Sequence, residues 1–258
     1  MNTIKRILIP VDFSDSSIAA INYALGMTQR DRSIAFTLIH ACKENDQSDI
    51  CEKDLQNLVA ERFAPENIQC DYIFEKGNIP ELLVMAHKKH NIDLVVMGTS
   101  GAPGEKLESN TIKLLKTADC SVLVVPENNK GFELKNIALA LDKKKFDDPS
   151  SLGVLHDFAR WYNAKVHLFT IDQDLEAHEI VLGEQEQTLE YYMDNLDYSR
   201  SFPKNTDIEI GINNYVQEKN IDVLAILPRH HARNSPPSEG RLTQLLAGHS
   251  DIPLLIID

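Results

Sequence analysis

The sequence predicts an α/β protein of two tandem doubly wound units, each a five-stranded parallel sheet covered by helices. Two observations carry this expectation. The 258-residue chain repeats itself at an offset of about 130 residues. Within each half, short β-branched and leucine-rich runs alternate with segments of helical period.

The repeat runs the length of the chain. "IKRILIPVD", ending at Asp12, returns as "LKNIALALD", ending at Asp142. "SIAFTLIHA" (33–41) returns as "NAKVHLFTI" (163–171), and "NIDLVVMG" (91–98) as "NIDVLAIL" (220–227). "DCSVLVVP" (119–126) returns as "SDIPLLIID" (250–258). The polar stretch "ENNKGFELK" (127–135) separates the halves and sets the expected domains at 1–128 and 134–258.

In the first half the expected strands are Ile7–Val11, Ala35–His40, Gln69–Glu75, Leu94–Met97 and Val122–Val125. Strands this apolar are expected to be buried on both faces, as in a parallel sheet covered by helices. The first helix opens at "FSDSS", with Ser14 or Asp15 as its cap and Ile18, Ile21, Ala24 and Leu25 as its apolar stripe. A second runs through Asp54–Phe63, and a third follows Gly77 and Asn78 with Pro80 in its first turn. A fourth carries Ile112, Leu115 and Ala118. In such units ligands sit at the carboxyl ends of the strands.

A net charge of −13 would repel a nucleic-acid backbone and anionic lipid, so neither is expected as a partner. No apolar run reaches the roughly 20 residues of a membrane span. The first residues enter a strand without a signal-peptide pattern. Cys42, Cys51, Cys70 and Cys120 show no C-x-x-C spacing. These features point to a soluble cytoplasmic protein with reduced thiols, Cys120 core-facing or at an interface and Cys51 the best candidate for an exposed one.

The segment with chemical content is "VVMGTSGAPGEKLESNTIKLL" (95–115), which reads as strand, glycine-rich loop and helix start. That arrangement aims backbone N–H groups at a phosphate. It is not a Walker loop, because no G-K-[S/T] follows the glycines. "GTSGA" around Ser100 inverts the order of a hydrolase elbow, which sets serine hydrolysis aside. Asp12 and Asp15 make no obvious Mg²⁺ pair, and Asp15 reads better as a first-turn charge. In the second half "RHHAR" (229–233), with His249 and Arg241, could face a metal or an anion. A solvated loop is the simpler reading, since adjacent histidines in extended chain point to opposite faces. Trp161 and Tyr162 fit a helix packed on its sheet, and "LEYYMDNLDY" (189–198) reads as core or lid material.

"ILIPVDFSDSSIAAINYAL", "GNIPELLVMAHKKHNIDLVVMGTSG" and "CSVLVVP" together resemble a universal stress protein domain over nearly all of residues 1–126. The second half resembles it more weakly, through "IALALD", "NAKVHLFTID", "EKNIDVLAIL" and "IPLLIID". The resemblance implies a tandem-type member with Rossmann-like, adenine-nucleotide alpha-hydrolase-like domains packed as an internal pseudo-dimer. Its last strands, Val122–Val125 and Leu254–Ile257, would pair across the interface. It also implies that Asp12 lines an adenosine pocket and that backbone groups of His40 and Ala41 flank the adenine. Gly98 and Gly101 match the opening of the family pattern G-x2-G-x9-G-[S/T], whose glycines and hydroxyl hold ribose and phosphates. Ser109, Asn110 and Thr111 stand where related tandem members open the next helix.

The chain departs from that pattern. Residues 102–107 make a spacer of six, and Glu108 replaces the closing glycine. A carboxylate beside a polyphosphate adds repulsion of ~1 kcal/mol if solvated and several if dry. The second half has Pro228 and Arg229 directly after the strand, and Asp142 there is followed by Lys143–Lys145. No nucleotide site is expected in it.

The resemblance therefore implies a non-catalytic stress-response regulator that binds ATP weakly in its first domain and acts on an unidentified protein partner. The alternative is a ligand-free interaction scaffold that kept the fold and lost the site. A slow ATPase ranks third, because the sequence names neither a base nor a Mg²⁺ set. Association of two such chains into a further homodimer is left open.

Overall fold

The structure is a computed structural model that describes residues 4–29, 33–42, 48–100, 120–141, 152–173, 184–227, 246 and 250–257. The chain divides into two compact units, Thr3–Phe132 and, apart from the first residues, Glu133–Asp258.

The first unit holds five parallel strands: β1 (Arg6–Pro10), β2 (Ala35–Cys42), β3 (Cys70–Lys76), β4 (Leu94–Thr99) and β5 (Ser121–Pro126). Their order is β3-β2-β1-β4-β5. The chain builds outward from β1 to β3, then crosses back to β4, so the order reverses between β1 and β4. β4 and β5 are buried almost throughout, and Ile7, Leu8 and Ile9 of β1 lie wholly in the core. β3 does not meet the expectation of burial on both faces. It is an edge strand, paired only with β2 in this sheet, and Asp71, Glu75 and Lys76 are exposed on it.

Three described helices cover this sheet: α1 (Asp15–Gly26), α2 (Ser48–Arg62) and α3 (Ile79–His90). Ser14 caps α1, its hydroxyl accepting from the Ser17 N–H at 3.3 Å, while Asp15 supplies first-turn charge. The buried face of α1 is Ala20, Ile21, Tyr23 and Ala24, with Ile18 and Leu25 at its margins. α2 begins at Ser48, six residues before the expected Asp54. α3 follows Asn78 with Pro80 in its first turn and ends at Asn91 in the left-handed region, at φ 49°. The expected fourth helix lies outside the described residues.

The second unit repeats the plan: β6 (Asn136–Ala140), β7 (Lys165–Phe169), β8 (Tyr198–Ser201), β9 (Val223–Ile226) and β10 (Leu254–Ile256), ordered β8-β7-β6-β9-β10. Its described helices are α4 (Gly153–Tyr162), α5 (Glu184–Met193) and α6 (Ile208–Glu218). Trp161 and Tyr162 end α4 half-buried. Leu189 and Met193 anchor α5 in the core, and Tyr191 is exposed.

The duplication is visible in single hydrogen bonds. In the first unit Asp93 Oδ2 accepts from the N–H groups of Lys5 and Arg6 at 2.8 and 2.9 Å. In the second, Asp222 Oδ2 accepts from Lys135 and Asn136, both at 2.7 Å. Val11 N–H donates to the Ile39 carbonyl, and Leu141 N–H to that of Phe169. Phe36 N–H donates to Gln69, and Val166 N–H to Asp197. These pairs set a residue-by-residue correspondence between the halves.

Candidate functional site

The carboxyl ends of β1, β2 and β4 carry the expected residues of the first unit. The turn after β1 is built around Asp12, which is exposed and whose Oδ1 accepts from the Ser14 N–H at 3.0 Å and from the Ser14 hydroxyl. Burial works to raise this carboxyl, but the Ser14 bonds outweigh it and hold Asp12 below the ordinary carboxylate value. The same serine thus caps α1 and favours the ionised form of Asp12. Ala41, half-buried near the end of β2, lies opposite Glu75 in the β2–β3 register.

Gly98 closes β4 for a reason the sequence did not disclose. A Cβ built there would stand 1.9 Å from the Ser16 carbonyl oxygen and 2.3 Å from its carbon. The glycine is required because the first turn of α1 lies directly on the strand, whether or not a phosphate is nearby. Asp12, Ala41 and Gly98 therefore share one sheet edge. Gly101, Glu108, Ser109, Asn110 and Thr111 lie outside the described residues.

Three aromatic residues that the sequence reading did not assign a side-chain role meet at this edge. His40 is 8% exposed, and its Nδ1 is 2.7 Å from the Val11 carbonyl oxygen. Its ring stacks on Phe74 at 5.6 Å and 11°, and meets Phe13 at 5.2 Å and 45°. Phe13 is 37% exposed and sits at φ 63°, a left-handed backbone that a bulky side chain rarely adopts. No sequence pattern could have announced the cluster. It depends on the His40–Phe74 register and on a turn conformation unusual for phenylalanine.

The second unit differs at the matching places. Leu227 takes the position of Gly98, and buried Thr170 that of His40. Phe202 stands where Phe74 does, with the Arg200 guanidinium 5.3 Å from its ring centre. Asp142, Lys143–Lys145, Pro228 and the loop with Arg229, His230, His231, Arg233, Arg241 and His249 lie outside the described residues. Among the described residues no cluster of His, Cys, Asp and Glu could hold a metal ion. Cys42 and Cys120 are buried, and Cys51, expected exposed, is half-buried because α2 extends over its segment. Burial, aided by Asp71, pushes the Cys70 thiol up to about 12, which removes it as a nucleophile at neutral pH. No described helix is long and apolar enough to cross a membrane.

A doubly wound parallel unit with a carboxylate after β1 and a glycine ending β4 defines a Rossmann-like α/β domain. Residues 3–126 match the model of the Universal stress protein family. The chain is 29% identical over 136 residues to universal stress protein A of Photorhabdus laumondii, covering 47% of this chain and 94% of that protein. The match to the universal stress protein family is thus carried by the first unit. The fold of the chain is shared with the crystal structure of a universal stress protein from Archaeoglobus fulgidus, at TM-score 0.70 and 17% identity over 97% of both chains. A functionally unknown protein from Pseudomonas aeruginosa PAO1 is also similar, at TM-score 0.64 and 15% identity over 98% of this chain and 92% of that one.

Proposed function

We propose that the first unit binds an adenine nucleotide, ATP, at the carboxyl edge of its sheet, and that the bound nucleotide regulates a partner surface rather than reacting. The observation that carries this reading is the position of Asp12 and Gly98. Asp12 lies two residues past β1 and Gly98 one residue before the end of β4, the two strands between which the strand order reverses, and doubly wound sheets bind ligands at that point. Asp12 would meet the ribose, the Ala41 backbone the base, and the segment from Gly101 to Thr111 the phosphates. The reading assigns no catalytic residue and no resident metal.

One observation favours the ligand-free scaffold. Gly98 is accounted for by the approach of the Ser16 backbone, so its presence does not argue for a phosphate. The deciding experiment is to denature the freshly purified chain and analyse what is released. Near-stoichiometric ATP or AMP supports a working site. No nucleotide, together with no thermal shift in millimolar ATP and Mg²⁺, supports the scaffold. Substituting Glu108→Gly sharpens the choice, since it raises ATP affinity only where the loop still approaches phosphates.

A further inference from the structure

The side chain of His40 has no role in the reading above, which uses only backbone groups at the end of β2. The Val11 carbonyl oxygen can only accept, so the ring proton of the neutral imidazole is on Nδ1. Nε2 is then a bare acceptor. It is buried, and no donor meets it among the described residues. A buried acceptor left unmet is rare in a folded protein and calls for an explanation.

The surroundings supply one. Val11, which anchors the ring, is followed directly by Asp12 and by Phe13. Phe13 is the exposed member of the cluster, held in a left-handed backbone against His40. Strained, exposed residues of this kind collect where ligands are gripped. One turn thus combines a carboxylate, an aromatic face and an anchored imidazole with a free lone pair, at the edge where the nucleotide is proposed to sit.

We propose that His40 Nε2 reads the base by accepting from the exocyclic amine of a 6-aminopurine, with Phe13 yielding to admit or stack on the ring. The site then selects adenine over 6-oxopurines, whose O6 would set a second acceptor against the lone pair. This inference rests on the nucleotide reading of the same site. Setting O6 against that buried lone pair forfeits the hydrogen bond and weakens binding by roughly 100-fold.

The test compares ATP with inosine triphosphate, which carries O6 in place of that amine and a proton on N1, by calorimetry on the full chain and on His40→Phe. The native chain should prefer ATP by about 100-fold, and the variant should lose most of that preference. An unchanged ratio in the variant overturns the role of His40 while leaving nucleotide binding intact. No ATP binding by the native chain overturns the nucleotide reading and this inference with it. If His40→Phe does not fold, ¹⁵N-histidine labelling of the native chain decides. The His40 Nε2 resonance should move on adding ATP and not inosine triphosphate, and equal movement with both rejects the proposal.

Discussion

At the end of β4 the first unit has Gly98, with the backbone of α1 lying where a side chain would be. At the same place after β9 the second unit has Leu227, half-buried. At the end of β2 the first unit has His40 among Phe13 and Phe74, where the second has Thr170 and Phe202. The amino ends of the sheets show no such divergence. There Asp93 and Asp222 collect the same pair of backbone N–H groups with nearly the same geometry. The two copies thus agree where the sheet is assembled and part where a ligand would be held. Backbone bonding constrains the first region in both copies, whereas side chains at the carboxyl edge carry no such bonds and are free to differ.

The sharpest way to break this comparison is Gly98→Ala. Overpacking against backbone cannot be relieved by a rotamer change, so the first unit should lose about 3 kcal/mol or more, read as a lower denaturation midpoint. Leu227→Ala, which removes side chain instead of adding it, should cost less. Equal effects would mean that the two strand ends are not distinguished by helix packing.

Asp93→Ala and Asp222→Ala probe the shared end. Each removes an acceptor for two N–H groups and should cost about 1–2 kcal/mol, discounted for exposure. The two losses should match in urea unfolding. A large difference would show that the copies have diverged there too.

A third contrast lies on the helices. The buried face of α1 is apolar apart from Ser17, whereas that of α4 includes Asp157, 6% exposed. Its Oδ1 is 4.0 Å from His156 Nδ1, and Oδ2 has no hydrogen-bond partner among the described residues. Burial raises this carboxyl above its ordinary value, with His156 and Arg160 pulling the other way. The folded state therefore holds the proton more tightly than the unfolded chain, and stability falls as pH rises from 3.8 through the raised value. Asp157→Asn should stabilise the chain by about 1 kcal/mol at pH 7. The gain should vanish below the unfolded value, and calorimetric melting at pH 7 and pH 3 checks both.

The smallest effects come from the helix caps. Ser14→Ala removes the α1 cap, and Asp207→Ala removes that of α6, where Asp207 Oδ1 accepts from Ile210 N–H at 3.0 Å. Each should cost about 1 kcal/mol. Only Ser14→Ala should also move the Asp12 titration upward, seen by carbon NMR of the carboxyl. Because Asp12 is held low in the folded chain, its share of stability is present above 3.8 and lost as pH falls through the lowered value. The Asp12 part of the Ser14→Ala cost should disappear in acid.

Much of the fold is legible in the sequence alone. Apolar runs separated by helical period named the described strands of the first half to within a residue or two at either end, and the repeat named the second half by analogy. β3 reads as buried because Tyr72, Ile73 and Phe74 supply apolar weight, whereas exposure on an edge strand depends on which strand has a single neighbour. α2 began earlier than its periodicity suggested because the polar run before Asp54 carries little helical signal.

The sequence by itself determined the strand-and-helix alternation, the duplication, and the placing of Asp12 and Gly98 at strand ends, because hydrophobic period and chain order are local properties. Only the tertiary structure decided why Gly98 must lack a side chain, which donor holds the Asp12 carboxyl low, and that His40 carries an unmet acceptor beside Phe13 and Phe74. Those facts arise from residues far apart in the chain meeting at close range. Register between strands and the approach of a helix to a strand belong to no single segment.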